Sequence, residues 1–327
     1  MDKQTSILPK SRLGRFASLV LLSGALGLMA ASGVVSSTRN PLQIAILHWY
    51  GANQTASFGV GNGPEGVAFD GASLWVSNRS DGSVTKLRAS DGACAGTCTF
   101  AVGSLPIGVA FDGANIWVAN FGGNNVTKLK ASDGSNLGTF AVGSSPEGLA
   151  FDGVNIWVSN RSSNNVTKLK ASDGSTLGTF AVGTQPVGVA FDGANIWVAN
   201  FGSNNVTKLN ESGTILGTFA VGIQPIGVTF DGANMWVANF GNDNVTELKL
   251  SGTTLGTFAV GTGPTFLAFD GANIWVANFG SSNVTKLKAS NGSTLGTFAV
   301  GSAPNGVAFD GANIWVANFD SHSVSKL

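Results

Sequence analysis

Short apolar runs of five to seven residues recur along the chain, each bounded by Gly, Asn, Asp or Ser. The stretch Pro186–Gly222 is representative. It reads as strand A (Val187–Phe191), an Asp192-Gly193-Ala194-Asn195 turn, strand B (Ile196–Asn200) and a loop through Asn204. Strand C (Val206–Asn210), a second turn and strand D (Ile215–Val221) complete it. Asp-Gly between apolar runs is the turn chemistry that joins antiparallel strands. On strand B, Ile196 and Val198 point one way while Trp197 and Ala199 point the other. A half-solvated strand alternates apolar with polar. Two apolar faces require cover on both sides, so these small sheets must stack on one another.

The period sets the architecture. Trp75, Trp117, Trp157, Trp197, Trp236, Trp275 and Trp315 are spaced 42, 40, 40, 39, 39 and 40 residues apart. A unit of about 40 residues with four strand signals is the mark of a propeller blade, and such units bury a core only by stacking. The last repeat stops after strand C, at Val324–Leu327, whereas residues 57–61 (SFGVG) match the strand D ending Thr139–Gly143. The predicted fold is therefore all-β, a seven-bladed β-propeller of four-stranded blades whose last blade is closed by an N-terminal strand. Closure removes an exposed sheet edge. The D–A and B–C loops then share one face, here called the top.

Residues 1–37 read differently. Lys3, Lys10, Arg12 and Arg15 precede an apolar run, Ala17–Val35, with small residues at Ala30, Ala31, Ser32 and Gly33. That order is a secretory signal peptide; the other reading is an uncleaved anchor, since the run is just long enough to span a bilayer. The expected organisation is a leader over 1–37, a linker over 38–52 and the propeller over 53–327. The expected location is periplasmic or extracellular, with membrane contact only through an uncleaved leader. Trp49 and Tyr50 end the linker's apolar stretch and have no assigned role.

The recurring Pro-x-Gly-Val-Ala-Phe-Asp-Gly-Ala-Asn-Ile-Trp-Val-Ala-Asn resembles the exported bacterial propellers of the YVTN/NHL-like group and the streptogramin B lyase propeller, over residues 53–327. The resemblance implies the fold. A lyase of that kind implies a histidine base with acidic partners in the ring.

Charge changes the picture by exclusion. Charged residues are 11% of the chain, with 18 Lys+Arg against 18 Asp+Glu, so no electrostatic footprint for nucleic acid exists. Only His48 and His322 are available, and His48 precedes the repeats. No Ser-His-Asp set, Cys-His pair or cluster of metal ligands can be assembled, and no cofactor or metal is expected. The Asp-Gly-Ala-Asn turns lack the alternating acidic residues of a calcium loop and read as backbone-satisfying turns. Asn-Val-Thr triplets, as at Asn125, follow from the repeat. Cys94 and Cys98 are the sole cysteines and should pair across the C–D hairpin of the first repeat, contributing about 2 kcal/mol on the chain-entropy model.

In near-identical repeats the exceptions carry the information. The residue after the top-loop proline is Glu65, Ile107, Glu147, Val187, Ile226, Thr265 and Asn305 in turn. The residue closing strand B is Arg79, Phe121, Arg161, Phe201, Phe240, Phe279 and Phe319. Glu occurs only with Arg, so two intrablade pairs, Glu65–Arg79 and Glu147–Arg161, are expected. The phenylalanines either pack between blades or, as Phe201, Phe240, Phe279 and Phe319 on four successive blades, form an apolar arc for a ligand. Ring exposure separates these readings. His322 lies in a B–C loop and could also face the top. The expected function is a non-catalytic, monomeric binding or interaction scaffold that takes a protein, peptide or small apolar ligand on its top face. The alternative is a lyase or hydrolase of the streptogramin B lyase type, with an unrecognised site around Glu65, Arg79, Glu147, Arg161 and His322.

Overall fold

The computed structural model describes residues 56–94 and 96–327. The expected leader over 1–37, the linker over 38–52 with Trp49 and Tyr50, and residues 53–55 lie outside the described residues. No helix among the described residues is long and apolar enough to cross a membrane.

Apolar residues on both strand faces drive seven four-stranded antiparallel sheets to stack into a ring. In blade 4 the strands are Pro186–Phe191, Asn195–Asn200, Asn205–Asn210 and Ile215–Ala220, each within a residue of the expected bounds. Blade 7 takes Pro304–Phe309, Ile314–Asn318 and Ser323–Lys326 from the C-terminal end, and Ala56–Gly59 as its outer strand. The closing register pairs Ala56 with Lys326, Phe58 with Val324 and Gly59 with Ser323. Val60 N then donates to His322 O at 3.1 Å, extending the seam into the loop.

Each tryptophan is the centre of an interblade core. The Trp197 indole is fully buried among Val206 and residues of the next blade, Met235, Val237 and Leu248. Its Nε1 donates to Asp192 Oδ2 at 2.7 Å, and Asp192 Oδ1 accepts from the amides of Ala194 and Asn195, at 2.9 and 2.6 Å. One aspartate thus satisfies both the tight turn and the buried indole. Gly193 supplies the positive φ (94°) that the turn requires. Lys208 Nζ stands 5.0 Å from the Trp197 ring centre and donates to Leu250 O of the next blade at 2.8 Å, while the Phe219 ring lies 5.6 Å away. Blade 5 departs from this plan. Glu247 occupies the lysine position and accepts from Asn234 Nδ2 at 2.9 Å.

The turn between strands C and D locks onto the preceding blade. A Cβ at Gly213 would come within 2.0 Å of the Phe180 ring. Blade 7 is made from two chain ends, and among the described residues no such turn covers Phe298, which is 38% exposed. Cys94 and Cys98 are joined in the corresponding loop of blade 1. Such a bond fits an oxidising, exported environment. The loop shortens the outer strand of that blade to Thr99–Ala101. Three B–C loops tighten into single 3-10 turns, Arg79–Asp81, Phe240–Asn242 and Phe279–Ser281, where the sequence read plain loops.

Two outcomes check this architecture. Trp197→Ala lowers the unfolding free energy by about 3–5 kcal/mol in urea titration, as removal of a fully buried indole requires; a cost near zero would contradict interblade burial. Deleting residues 53–61 exposes the edge of the Ser323–Lys326 strand. The product should elute as oligomers in size-exclusion chromatography, and a monomer with unchanged melting would refute the closure.

Candidate functional site

The inner strands create the site. Strand A pairs with strand B through its proline and again from the fourth residue on, with a register shift between Pro186 and Val189 in blade 4 and at the matching place in the other six blades. The residue after each proline therefore sits in a bulge, a device that re-aims a side chain out of the ladder. The next residue is glycine in six blades because neighbouring inner strands approach backbone to backbone. A Cβ at Gly188 would lie 2.3 Å from Ile226 O. Blade 6 has Phe266 in this position.

The result is a top cavity of about 350 Å³ whose walls differ. Blades 1 and 3 supply Glu65, Arg79, Glu147 and Arg161. Blades 4 to 6 supply Phe201, Ile226, Phe240, Phe266 and Phe279, and Thr265 and Asn305 complete the rim. Glu147 and Phe266 also line the narrow axial channel beneath, of about 120 Å³, so they flank its mouth.

Both ion pairs form. Arg79 Nη1 is 3.0 Å from Glu65 Oε1, and Arg161 Nη1 is 3.2 Å from Glu147 Oε2. Each guanidinium also covers the phenylalanine of the next blade, Arg79 over Phe121 at 5.7 Å and Arg161 over Phe201 at 4.8 Å. Glu65 Oε2 accepts from Asn305 Nδ2 of blade 7. Glu147 Oε1 has no donor among the described residues, and it is not sealed off from the cavity. Ser77 and Ser159 explain the Ser-Asn-Arg variant of these two blades. Each hydroxyl accepts from the inner-strand glycine, Gly66 N or Gly148 N, and donates to the next blade, at Ile107 O or Val187 O.

Burial dominates the titration of both acids. Loss of solvent pushes Glu65 up to about 7, with Arg79 opposing and Glu147 adding to the rise. Burial raises Glu147 as well, against Arg161 and Arg79. Each acid therefore responds to charges in the other's blade, and the two pairs form one electrostatic unit.

The phenylalanine rings keep access to solvent. Phe279 is 36% exposed, and Phe121, Phe201, Phe240 and Phe319 are half-buried. Purely interblade packing does not describe them. Phe201, Phe240 and Phe279 join the cavity. Phe121 lies in a neighbouring groove with Arg161, and Phe319 packs against Gly63. His322 is exposed at a left-handed loop position (φ 49°), and its Nδ1 accepts from Gly63 N at 3.1 Å. Asn124 and Asn164 do the same work with their Oδ1 atoms in other blades. Sequence reasoning missed Phe266, although the break of Pro-x-Gly to Pro-Thr-Phe in blade 6 marked it. No cluster of three or more potential metal ligands occurs among the described residues.

No protein-family model matches the sequence, and no curated protein is similar to it. Among solved structures, streptogramin B lyase has a TM-score of 0.72 at 17% identity, over 84% of this chain and 96% of that one. A catalytically inactive histidine-to-alanine variant of Staphylococcus aureus virginiamycin B lyase, solved with quinupristin, has 0.72 at 17%, over 84% and 98%. Kuenenia stuttgartiensis hydrazine synthase has 0.71 at 19%, over 81% and 95%. At these identities the likeness is one of fold: the chain is a seven-bladed propeller similar to that of streptogramin B lyase.

The buried acids set a pH dependence. A carboxyl raised in the folded state stabilises fully below its ordinary value of 4.5 and loses that contribution as pH climbs through about 7. Glu65→Gln, which cannot ionise, should therefore gain stability relative to the unaltered chain between pH 5 and pH 8. Paired melting curves across that range check it; a constant difference would show that Glu65 does not titrate there.

Proposed function

We propose that this propeller is a non-catalytic, exported binding module that takes a small ligand or a peptide side chain with an apolar body in its top cavity. The observation that carries this reading is the cavity itself, about 350 Å³, with Phe201, Ile226, Phe240, Phe266 and Phe279 facing two ion pairs whose glutamates are buried. Small-ligand sites are concave, mostly apolar and equipped with a few placed polar groups. The Cys94–Cys98 bond supports export to the periplasm or the exterior of the cell. The lyase reading has the weaker support. His322 is held as an acceptor for Gly63 N and is absent from the cavity lining. Glu65 has both oxygens engaged, by Arg79 and Asn305, and Glu147 has one, by Arg161. A general base must instead reach the proton it removes.

The neutral fluorophore 1-N-phenylnaphthylamine tests the binding reading. Its emission should rise saturably with one site per chain. Phe240→Ala and Phe279→Ala should each weaken it by about ten-fold, the worth of a buried aromatic contact. Unchanged affinity in both folded variants would overturn the reading.

A further inference from the structure

The cavity's polar wall carries both signs of charge. Arg79 and Arg161 are each committed twice, to a glutamate and to a phenylalanine ring. Both oxygens of Glu65 are occupied, by Arg79 and Asn305. Glu147 differs. Its side chain is nine-tenths buried, one oxygen accepts from Arg161, and the other has no donor among the described residues while it lines the cavity and the channel mouth. That oxygen is reached from the cavity, so a ligand N–H that donates to it takes the place of water there. Three blades away round the ring stands Phe266, in place of the inner-strand glycine, with Phe240 and Phe279 beside it.

We propose that the top cavity takes an organic ammonium ion whose N–H group donates to Glu147 Oε1 and whose apolar body lies against Phe240, Phe266 and Phe279. The inference rests on the binding reading above and names the chemistry of its ligand. An aryl body suits the cavity, because aromatic faces attract both another ring and the adjacent cationic head. An anion would meet the open oxygen of Glu147, and Arg79 and Arg161, with side chains 34% and 31% exposed, are each already paired with a glutamate oxygen.

The charged groups facing Glu147 are Arg161, Arg79 and Glu65; the apolar wall adds none. Burial disfavours the charged form of both acids, and an ammonium ion supplies in the cavity the positive charge that a proton otherwise supplies. Binding of such an ion therefore displaces protons and strengthens as pH rises.

Calorimetric titration of the full chain with three probes of one shape decides the matter: 2-phenylethylammonium, neutral 2-phenylethanol and anionic 3-phenylpropanoate. At pH 8 the ammonium ion should bind about ten-fold or more tightly than either of the others, the worth of one charge-assisted hydrogen bond. Its affinity should fall between pH 8 and pH 6. Glu147→Gln should remove the ammonium preference, and Phe240→Ala should weaken every probe that binds. Equal affinity for the ammonium ion and the alcohol, tightest binding by the carboxylate, or no binding of the ammonium ion overturns the proposal. So does an ammonium affinity independent of pH, a result read on the unaltered chain even if Glu147→Gln fails to fold. The binding reading survives these failures where phenylnaphthylamine binding remains sensitive to Phe240→Ala or Phe279→Ala, and falls where neither variant weakens it.

Discussion

The indole N–H of each strand B, bonded to the aspartate of the turn before it, is the contact on which the ring depends. A tryptophan buried between two blades must satisfy that donor without water. Asp192 does so for Trp197 with one oxygen while its other oxygen holds two turn amides. Turn, strand and interblade core are therefore one cooperative unit. The lysine of strand C completes it by covering the ring and donating to the next blade's backbone, as Lys208 does. The indole–aspartate contact repeats in all seven blades, and the ring closes where Phe58 reaches Trp315 across the joined ends of the chain.

The same repetition leaves the top of the axis free to vary. Glycine after the bulge lets inner strands touch backbone to backbone, which keeps the channel narrow. The bulged residue lines the cavity in five of the seven blades, as Glu65, Glu147, Ile226, Thr265 and Asn305. Glu65 and Glu147 occupy two of these positions, each with its arginine one loop away. Phe266 takes the glycine position once and stands at the channel mouth. Charge lies on one wall of the cavity and aromatic surface on the other.

Much of the site was legible in the residues alone. Glu with Arg in the same two repeats foretold the ion pairs, because two loops on one face of one blade bring them within reach. Three of the four phenylalanines expected to form an apolar arc, Phe201, Phe240 and Phe279, line the cavity, and Phe319 does not. His322 looked available for chemistry because a histidine in a loop is usually free. Its ring nitrogen instead replaces the asparagine oxygen of other blades in holding a loop amide. Such equivalence between an imidazole and an amide depends on where the neighbouring N–H points.

Periodicity, turn residues and tryptophan spacing determined the blade count, the strand bounds and the closure, because each is a local pattern repeated along one chain. Tertiary structure alone decided the bulge that aims the glutamates, the burial that raises their affinity for protons, and the oxygen of Glu147 left without a donor among the described residues. These depend on atoms brought together around an axis from blades far apart in sequence. Pairing pattern is written in neighbours along the chain; solvation and unfilled hydrogen bonds are properties of the space the blades enclose.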